Sequence, residues 1–367
     1  MAATGRSVGD LAVTLADAPF VRVAPRADGD AIAAAGLLLR VLAERSIPFQ
    51  ARVVATTTEP PEDDVTVPIG FADGPLSSDR PASAVVADLV RDLGGDPDPA
   101  LALAGCHAAE TPPSATDLDV PFERRTGVGI PTADPVDGLA HSTLVHAGFS
   151  GDESAVGAAL ADLADDGRSI ASLLALETVS AEGATARGAD QVERALRPHA
   201  TPDGPFESVE GYADVLDCLA CETPGLALAL AMGHDVRVEA LEAWRAHAKA
   251  AHRGLRGATT ERYDGLFVAR VDPTTENGDP EDGPRRSVPV ETIARLLRDF
   301  RSPEPIALAV AGGEAAAASV EPTSIGETMG DAAASLGGSG GGTATRASAT
   351  FDAEPSAFAD AVRRAMT

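Results

Sequence analysis

The chain has 367 residues and a formal net charge of -27, from 56 acidic residues against 29 basic ones, and Lys249 is its sole lysine. Three cysteines, Cys106, Cys218 and Cys221, exclude a disulfide framework. The longest clean apolar run, 226–232, falls far short of the roughly 18 residues that span a bilayer.

Residues 1–150 read as alternating strand and helix. A short apolar strand is expected over 20–24, then a turn through Asp28-Gly29-Asp30, then an Ala- and Leu-rich helix over 29–44. Gly29 supplies a turn at little steric cost, and Asp30 is read as the helix N-cap. Strands follow over 49–57 and 65–71, the second closed by Asp73-Gly74. Helices follow over 82–93 and 99–110. The order β-α-β-β-α-α suits a mostly parallel sheet. Residues 151–254 read as a helical connector, with helices over 153–166, 169–179, 189–199, 209–221 and 236–252, and breaks at Gly, Pro or Asp. Residues 255–367 return to α/β, with a strand over 263–272, a polar loop over 273–286, a helix over 288–300, and a strand over 305–311 that pairs with 315–320. A helix over 327–336, a glycine tract, a strand over 345–351 and a helix over 355–366 complete the chain. The expected fold class is therefore α/β with three parts: 1–150, 151–254 and 255–367.

The stretch Val21–Arg40 organises the chain. Its turn lies at the carboxyl end of a strand, where ligands gather in open α/β sheets, and the following helix N-terminus suits phosphate or a carboxylate–metal cluster. It resembles the first motif of the DHH phosphoesterase superfamily, which includes the RecJ single-strand exonucleases and reads roughly His-x-Asp-x-Asp-Gly. Aligned on Asp28-Gly29, this chain has Ala24 in place of the His and Arg26 in place of the first Asp. A second resemblance lies in Gly341-Gly342-Thr343-Ala344-Thr345-Arg346, similar to the Gly-Gly-Gly-His motif of the DHH-associated C-terminal domain, with Ala344 at the His. The resemblance implies a phosphate-binding loop, with Gly341, Gly342, Thr343 and Arg346 as contacts and Arg26 as a further one. Glycines let backbone N–H groups approach phosphate oxygens, and arginine pairs with them. The alternative is a flexible Gly/Ser linker, against which stands the tract's place between a helix and a strand.

The remaining metal motifs of that family are absent in sequence. Pro68 occupies the position of a ligand Asp, and the chain has no adjacent histidine pair. Asp28, Asp73 and His107 are the candidates for a rebuilt site, each with a structural alternative: Asp73 as a turn residue before Gly74, His107 as a helix residue. Two-metal hydrolysis needs several carboxylates and imidazoles. One surviving Asp beside Arg26 does not supply them, so no metal cofactor is expected; Mn²⁺ or Mg²⁺ would be required if the chain were active. Three further patterns are set aside. Gly337-Gly338-Ser339-Gly340-Gly341 has helix before and strand after, the reverse of a nucleophile elbow. Cys218-Leu219-Ala220-Cys221 lies inside a helical pattern beside Asp217 and Glu222, which raise thiol pKa. His141 and His146, like His247 and His252, are five apart and so point to different faces.

Extreme acidity with lysine nearly absent reads as adaptation to molar salt. There the Debye length is about 3 Å, so net charge says little about partners. The resemblance implies a RecJ-like protein of DNA replication or repair. As a catalytically degenerate pseudonuclease it would bind single-stranded nucleic acid or join a replication complex, with GINS and the minichromosome-maintenance helicase as partners by analogy. The alternative is an active Mn- or Mg-dependent exonuclease, and a third reading is a scaffold without nucleic acid. With no basic-then-apolar leader and no span, a cytoplasmic location and no membrane partner are expected.

Overall fold

The computed structural model describes residues 8–54, 65–71, 74–164, 166–181, 183–272 and 288–366. Within them the first elements are α1 (Val8–Ala16), β1 (Val21–Pro25), α2 (Gly29–Glu44), β2 (Phe49–Ala51), β3 (Val65–Ile69), α3 (Ala82–Asp92) and α4 (Pro99–Ala108), then a 3-10 turn at Pro113–Ala115. The helical stretch holds α5 (Pro135–His141), α6 (Glu153–Leu160), α7 (Gly167–Ser180), α8 (Ala186–Ala195), α9 (Val209–Glu222), α10 (Pro224–Ala231) and α11 (Arg237–Gly257). Then come β4 (Thr259–Tyr263), β5 (Leu266–Arg270), α12 (Val290–Leu296) running into a π-helical turn at Leu297–Arg301, β6 (Ile306–Ala311), β7 (Glu314–Ser319), α13 (Ile325–Ser335), β8 (Ser339–Gly342), β9 (Arg346–Thr350) and α14 (Pro355–Ala365). The chain is α/β, as expected. Expected residues 55–57, Asp73 and the polar loop 273–286 lie outside the described residues.

Two compact units emerge. The first comprises 1–125, 129–133 and 197–244; the second comprises 126–128, 134–196 and 245–367. The boundaries differ from the three parts read along the sequence: 197–244 belongs with the first sheet, while 151–196 goes with the second. Helical periodicity places residues on a face but does not say which core that face meets.

In the first unit β1 is central and parallel to both β2 and β3, with Val21 opposite Phe49 on one side and Val65 on the other. Pro68 is accommodated because β3 is an edge strand of this sheet, where a missing N–H costs least. Against the sheet lies α2, with twelve of its sixteen residues buried. It is hydrophobic all round because α3, α4, α9 and α10 all pack on it. Small residues make this possible: a Cβ on Gly36 would stand 2.5 Å from the Ala231 Cβ of α10, and one on Gly105 would stand 2.5 Å from the Ser83 Cβ and 2.8 Å from the Ala33 Cβ. Few aromatics are needed where backbones approach this closely.

The second unit carries a six-stranded sheet in the order β4-β5-β6-β7-β9-β8, antiparallel except for β5–β6. β6 is buried along its whole length and β7 along all but its first residue. Three corrections to the sequence reading arise here. The strand expected over 263–272 is the second half of a hairpin that turns at Asp264-Gly265, Gly265 having φ +76°. The glycine tract is not a loop: Ser339–Gly342 is an edge strand paired with β9. Helices α1, α5 and α10 were not anticipated, the last starting at Pro224, a favoured first helical position. No helix among the described residues is long and apolar enough to cross a membrane.

Candidate functional site

The turn from β1 to α2 is built by its own backbone and by three neighbouring helices. Arg26 N–H donates to Ile69 O at 3.0 Å, extending the β1–β3 ladder past Pro25. Asp28 then takes an extended conformation (φ -145°, ψ 158°) and caps α2, its Oδ1 accepting the Ala31 N–H at 2.9 Å. Its other oxygen, Oδ2, accepts from Arg26 Nε at 2.7 Å. The N-cap is thus Asp28 and not Asp30 as the sequence suggested, because Gly29 is already the first helical residue. Gly29 donates its N–H to Asp217 Oδ1 at 3.3 Å. A Cβ there would meet the Ala108 Cβ at 2.7 Å and the Asp217 backbone N at 3.1 Å, so only glycine lets α4 and α9 close on the turn. Gly70, at φ +83°, brings the end of β3 against Ala31 and Asp28.

Asp30 performs a task that the sequence did not disclose. Its carboxylate accepts the backbone N–H groups of Ala82 (2.6 Å) and Ser83 (2.9 Å), so it caps α3 across 52 residues of chain. The residue at the N-cap position of α3 is Pro81, which makes no side-chain cap. Burial raises the Asp30 carboxyl, the Asp28 charge adds to this, and its pKa stands at about 6. Next to it, Ser83 Oγ lies 3.6 Å from Cys106 Sγ, and burial pushes that thiol up to about 11. It is a core cysteine, not a nucleophile.

The donor set of this turn does not fit the pair of divalent cations that the resemblance would imply. Both Asp28 oxygens are engaged, one by a guanidinium. Both Asp30 oxygens receive backbone N–H groups, and the cation charge would have to compete with Arg26 at 2.7 Å from the only carboxylate in the motif position. Of the other two residues considered as ligands, Asp73 lies outside the described residues. His107 belongs to a different cluster: its Nε2 is 3.5 Å from Glu210 Oε1, and His199 Nδ1 meets the same oxygen at 2.8 Å. Glu210 and His199 come from α9 and the segment before it, and nothing in local spacing signals that they meet His107.

The phosphate contacts read from the glycine tract fall in the second unit and Arg26 in the first. Gly341 and Gly342 lie in β8, and Thr343 closes the tight turn to β9: its N–H donates to Arg346 O at 2.7 Å and its hydroxyl accepts from Arg346 N–H at 3.0 Å. The glycines also serve packing. A Cβ on Gly326 of α13 would lie 3.0 Å from Gly342 O, and one on Gly330 would lie 3.2 Å from Gly340 O, so the helix rests directly on the strand backbone. The Cys-x-x-Cys thiols form no disulfide and diverge: Cys218 is buried facing Asp214, whereas Cys221 is exposed and faces Ala27 O. One histidine from each five-apart pair meets the other across the chain, His146 Nδ1 lying 3.0 Å from His252 Nδ1, while His141 contacts Asp137 and His247 contacts Thr292.

The whole chain matches RecJ from Thermus thermophilus, solved in complex with Mg²⁺, at a TM-score of 0.51 and 18% identity, covering 100% of this chain and 53% of that one. This chain therefore spans about half the length of that RecJ. It also matches CDC45 from Entamoeba histolytica at a TM-score of 0.51 and 9% identity, covering 100% of this chain and 99% of that one. The fold is RecJ-like. Residues 258–364 match the family described as the C-terminal domain of uncharacterized protein rrnAC1427. The full chain is 46% identical over 393 aligned positions to uncharacterized protein rrnAC1427 of Haloarcula marismortui, covering 100% of each, and it belongs to that protein's family.

Proposed function

We propose that this protein is a RecJ-like chain of DNA replication or repair that has lost phosphodiester hydrolysis and binds single-stranded nucleic acid. The observation that carries the reading is the β1–α2 turn, where the motif aspartate is consumed by a helix cap and by Arg26. Two-metal hydrolysis needs free carboxylate oxygens to hold both ions, and a guanidinium in their place favours an anion. Arg26 and Arg346 are the proposed phosphate contacts, with Gly341, Gly342 and Thr343 supplying a close backbone. Membership in a replication complex, with GINS or the replicative helicase as neighbours, is the companion reading by family analogy.

The test is a degradation and binding assay on 5′- and 3′-labelled single-stranded DNA and RNA in molar KCl, with Mn²⁺ or Mg²⁺. Binding without shortening of either label is expected, with Arg26→Ala and Arg346→Ala each weakening it by roughly tenfold, as the loss of a charge-assisted phosphate contact does. Metal-dependent shortening that Asp28→Ala abolishes would establish an active nuclease instead. Neither cleavage nor binding would leave a protein scaffold.

A further inference from the structure

We propose that His107, His199 and Glu210 form a site for one transition-metal cation of the zinc class, separate from the β1–α2 turn and independent of nuclease chemistry. The three residues come from the last turn of α4, the segment before α9 and the first turn of α9. One donor atom from each lies within 4.8 Å of the others. Two imidazoles and one carboxylate are a ligand set that zinc takes with a fourth, exchangeable position. At metal–ligand lengths of about 2.0–2.2 Å, tetrahedral geometry sets neighbouring donors roughly 3.3–3.5 Å apart. His107 Nε2 and Glu210 Oε1 already stand at 3.5 Å. The 2.8 Å between His199 Nδ1 and that oxygen opens by about half an ångström on loading.

The surroundings hold the ligands in place. The His199 backbone N–H donates to both Glu210 oxygens, at 3.0 Å to Oε2 and 3.3 Å to Oε1, which fixes the carboxylate with Oε1 facing the two rings. Glu210, His199 and the His107 Nε2 atom are buried, while the His107 side chain keeps 17% of its surface, so a fourth ligand would reach the site past that ring. Arg124 is the competitor. Its Nε donates to His199 Nε2 at 3.2 Å, so in the metal-free chain Nδ1 carries the ring hydrogen and gives it to Glu210. Loading moves that hydrogen from Nδ1 to Nε2 by exchange with solvent, with no net proton lost from the ring, and Arg124, which is exposed, turns outward. The other cluster of comparable composition, Asp137, His141 and Glu153, lacks this freedom. Arg245 holds both oxygens of Asp137, at 2.7 and 2.8 Å.

The metal-stripped full chain, in molar KCl near neutral pH, is titrated with Co²⁺ by visible absorption and with Zn²⁺ by equilibrium dialysis. One equivalent should bind. His107→Ala and Glu210→Gln should weaken binding by at least the roughly ten- to hundredfold that loss of an outer-shell partner alone causes, Arg124→Ala should tighten it, and His141→Ala should leave it unchanged. X-ray absorption of the zinc-loaded wild type, which needs no variant to fold, should show nitrogen and oxygen ligation with imidazole scattering. Three results would overturn the site. These are no stoichiometric binding at about 100 µM metal, binding that His107→Ala leaves intact, or sulfur ligation at about 2.3 Å, which would move the metal to the cysteines.

Discussion

Asp30 carries a buried carboxylate that faces N–H and O–H donors of α3 and the neighbouring Asp28 charge. Its pKa of about 6 in the folded chain lies above the ordinary carboxylate value of 3.8. The folded state therefore takes up this proton first as pH falls. Above pH 6 the buried charge costs stability, and between pH 6 and pH 3.8 the wild type regains it, by at most about 3 kcal/mol at ~1.4 kcal/mol per unit. The stacked pair His146 and His252 acts in the opposite sense. Burial lowers both, His252 to about 3, so the unfolded chain binds protons first and stability is lost as pH falls below 6.5. The two effects are separated by measuring denaturant unfolding of the wild type and Asp30→Asn across pH 4 to 8. The difference in favour of the wild type should grow as pH drops from 6 to 4. A flat or shrinking difference would mean that Asp30 is not the titrating group. Asp28 and Arg26 were legible in the sequence as residues of a strand-to-helix turn. That Asp28 would cap α2, and Asp30 a different helix, was not, because both depend on where α3 begins in space.

Packing by small residues governs the elements. α2 is read correctly from its Ala and Leu run, Gly29–Glu44, since its turn signal and its length are local. Its burial by four helices is not local, and Gly36 shows why. The residue looks like an ordinary helix-weakening glycine, yet Ala231 backbone and side chain lie 2.5–2.8 Å from where its Cβ would be. Gly36→Val should therefore destabilise the protein by about 3 kcal/mol through overpacking. Gly157→Ala in α6, which meets nothing within 4 Å, should stabilise it by about 0.5–1 kcal/mol. Chemical denaturation of the two variants checks both, and equal effects would refute the close crossing of α2 and α10. The glycine tract teaches the same lesson. Its composition reads as a loop by local preference, but pairing with β9 and the approach of α13 make it a strand. Only residues without Cβ let Gly326 and Gly330 sit on that strand's carbonyls.

The charge of -27 is a property of the whole molecule and is set by composition alone. Like charges on one surface repel, and salt screens them within about 3 Å at roughly 1 M. The thermal midpoint should rise steadily from dilute buffer to molar KCl, and scanning calorimetry across that range reads it. A midpoint indifferent to salt would remove the reading of the acidic surface as an adaptation to molar salt. Composition, the α/β class and the position of most elements were determined by the amino-acid sequence by itself, because periodicity and turn residues are local facts. Tertiary structure alone decided which residues meet. It brought His199 and Glu210 to His107 from a distant part of the chain, set Asp30 on the end of α3, joined His146 to His252, and assigned 197–244 to the first sheet. Such contacts follow from which buried faces close against each other, and that choice is made by the whole core, not by any stretch within it.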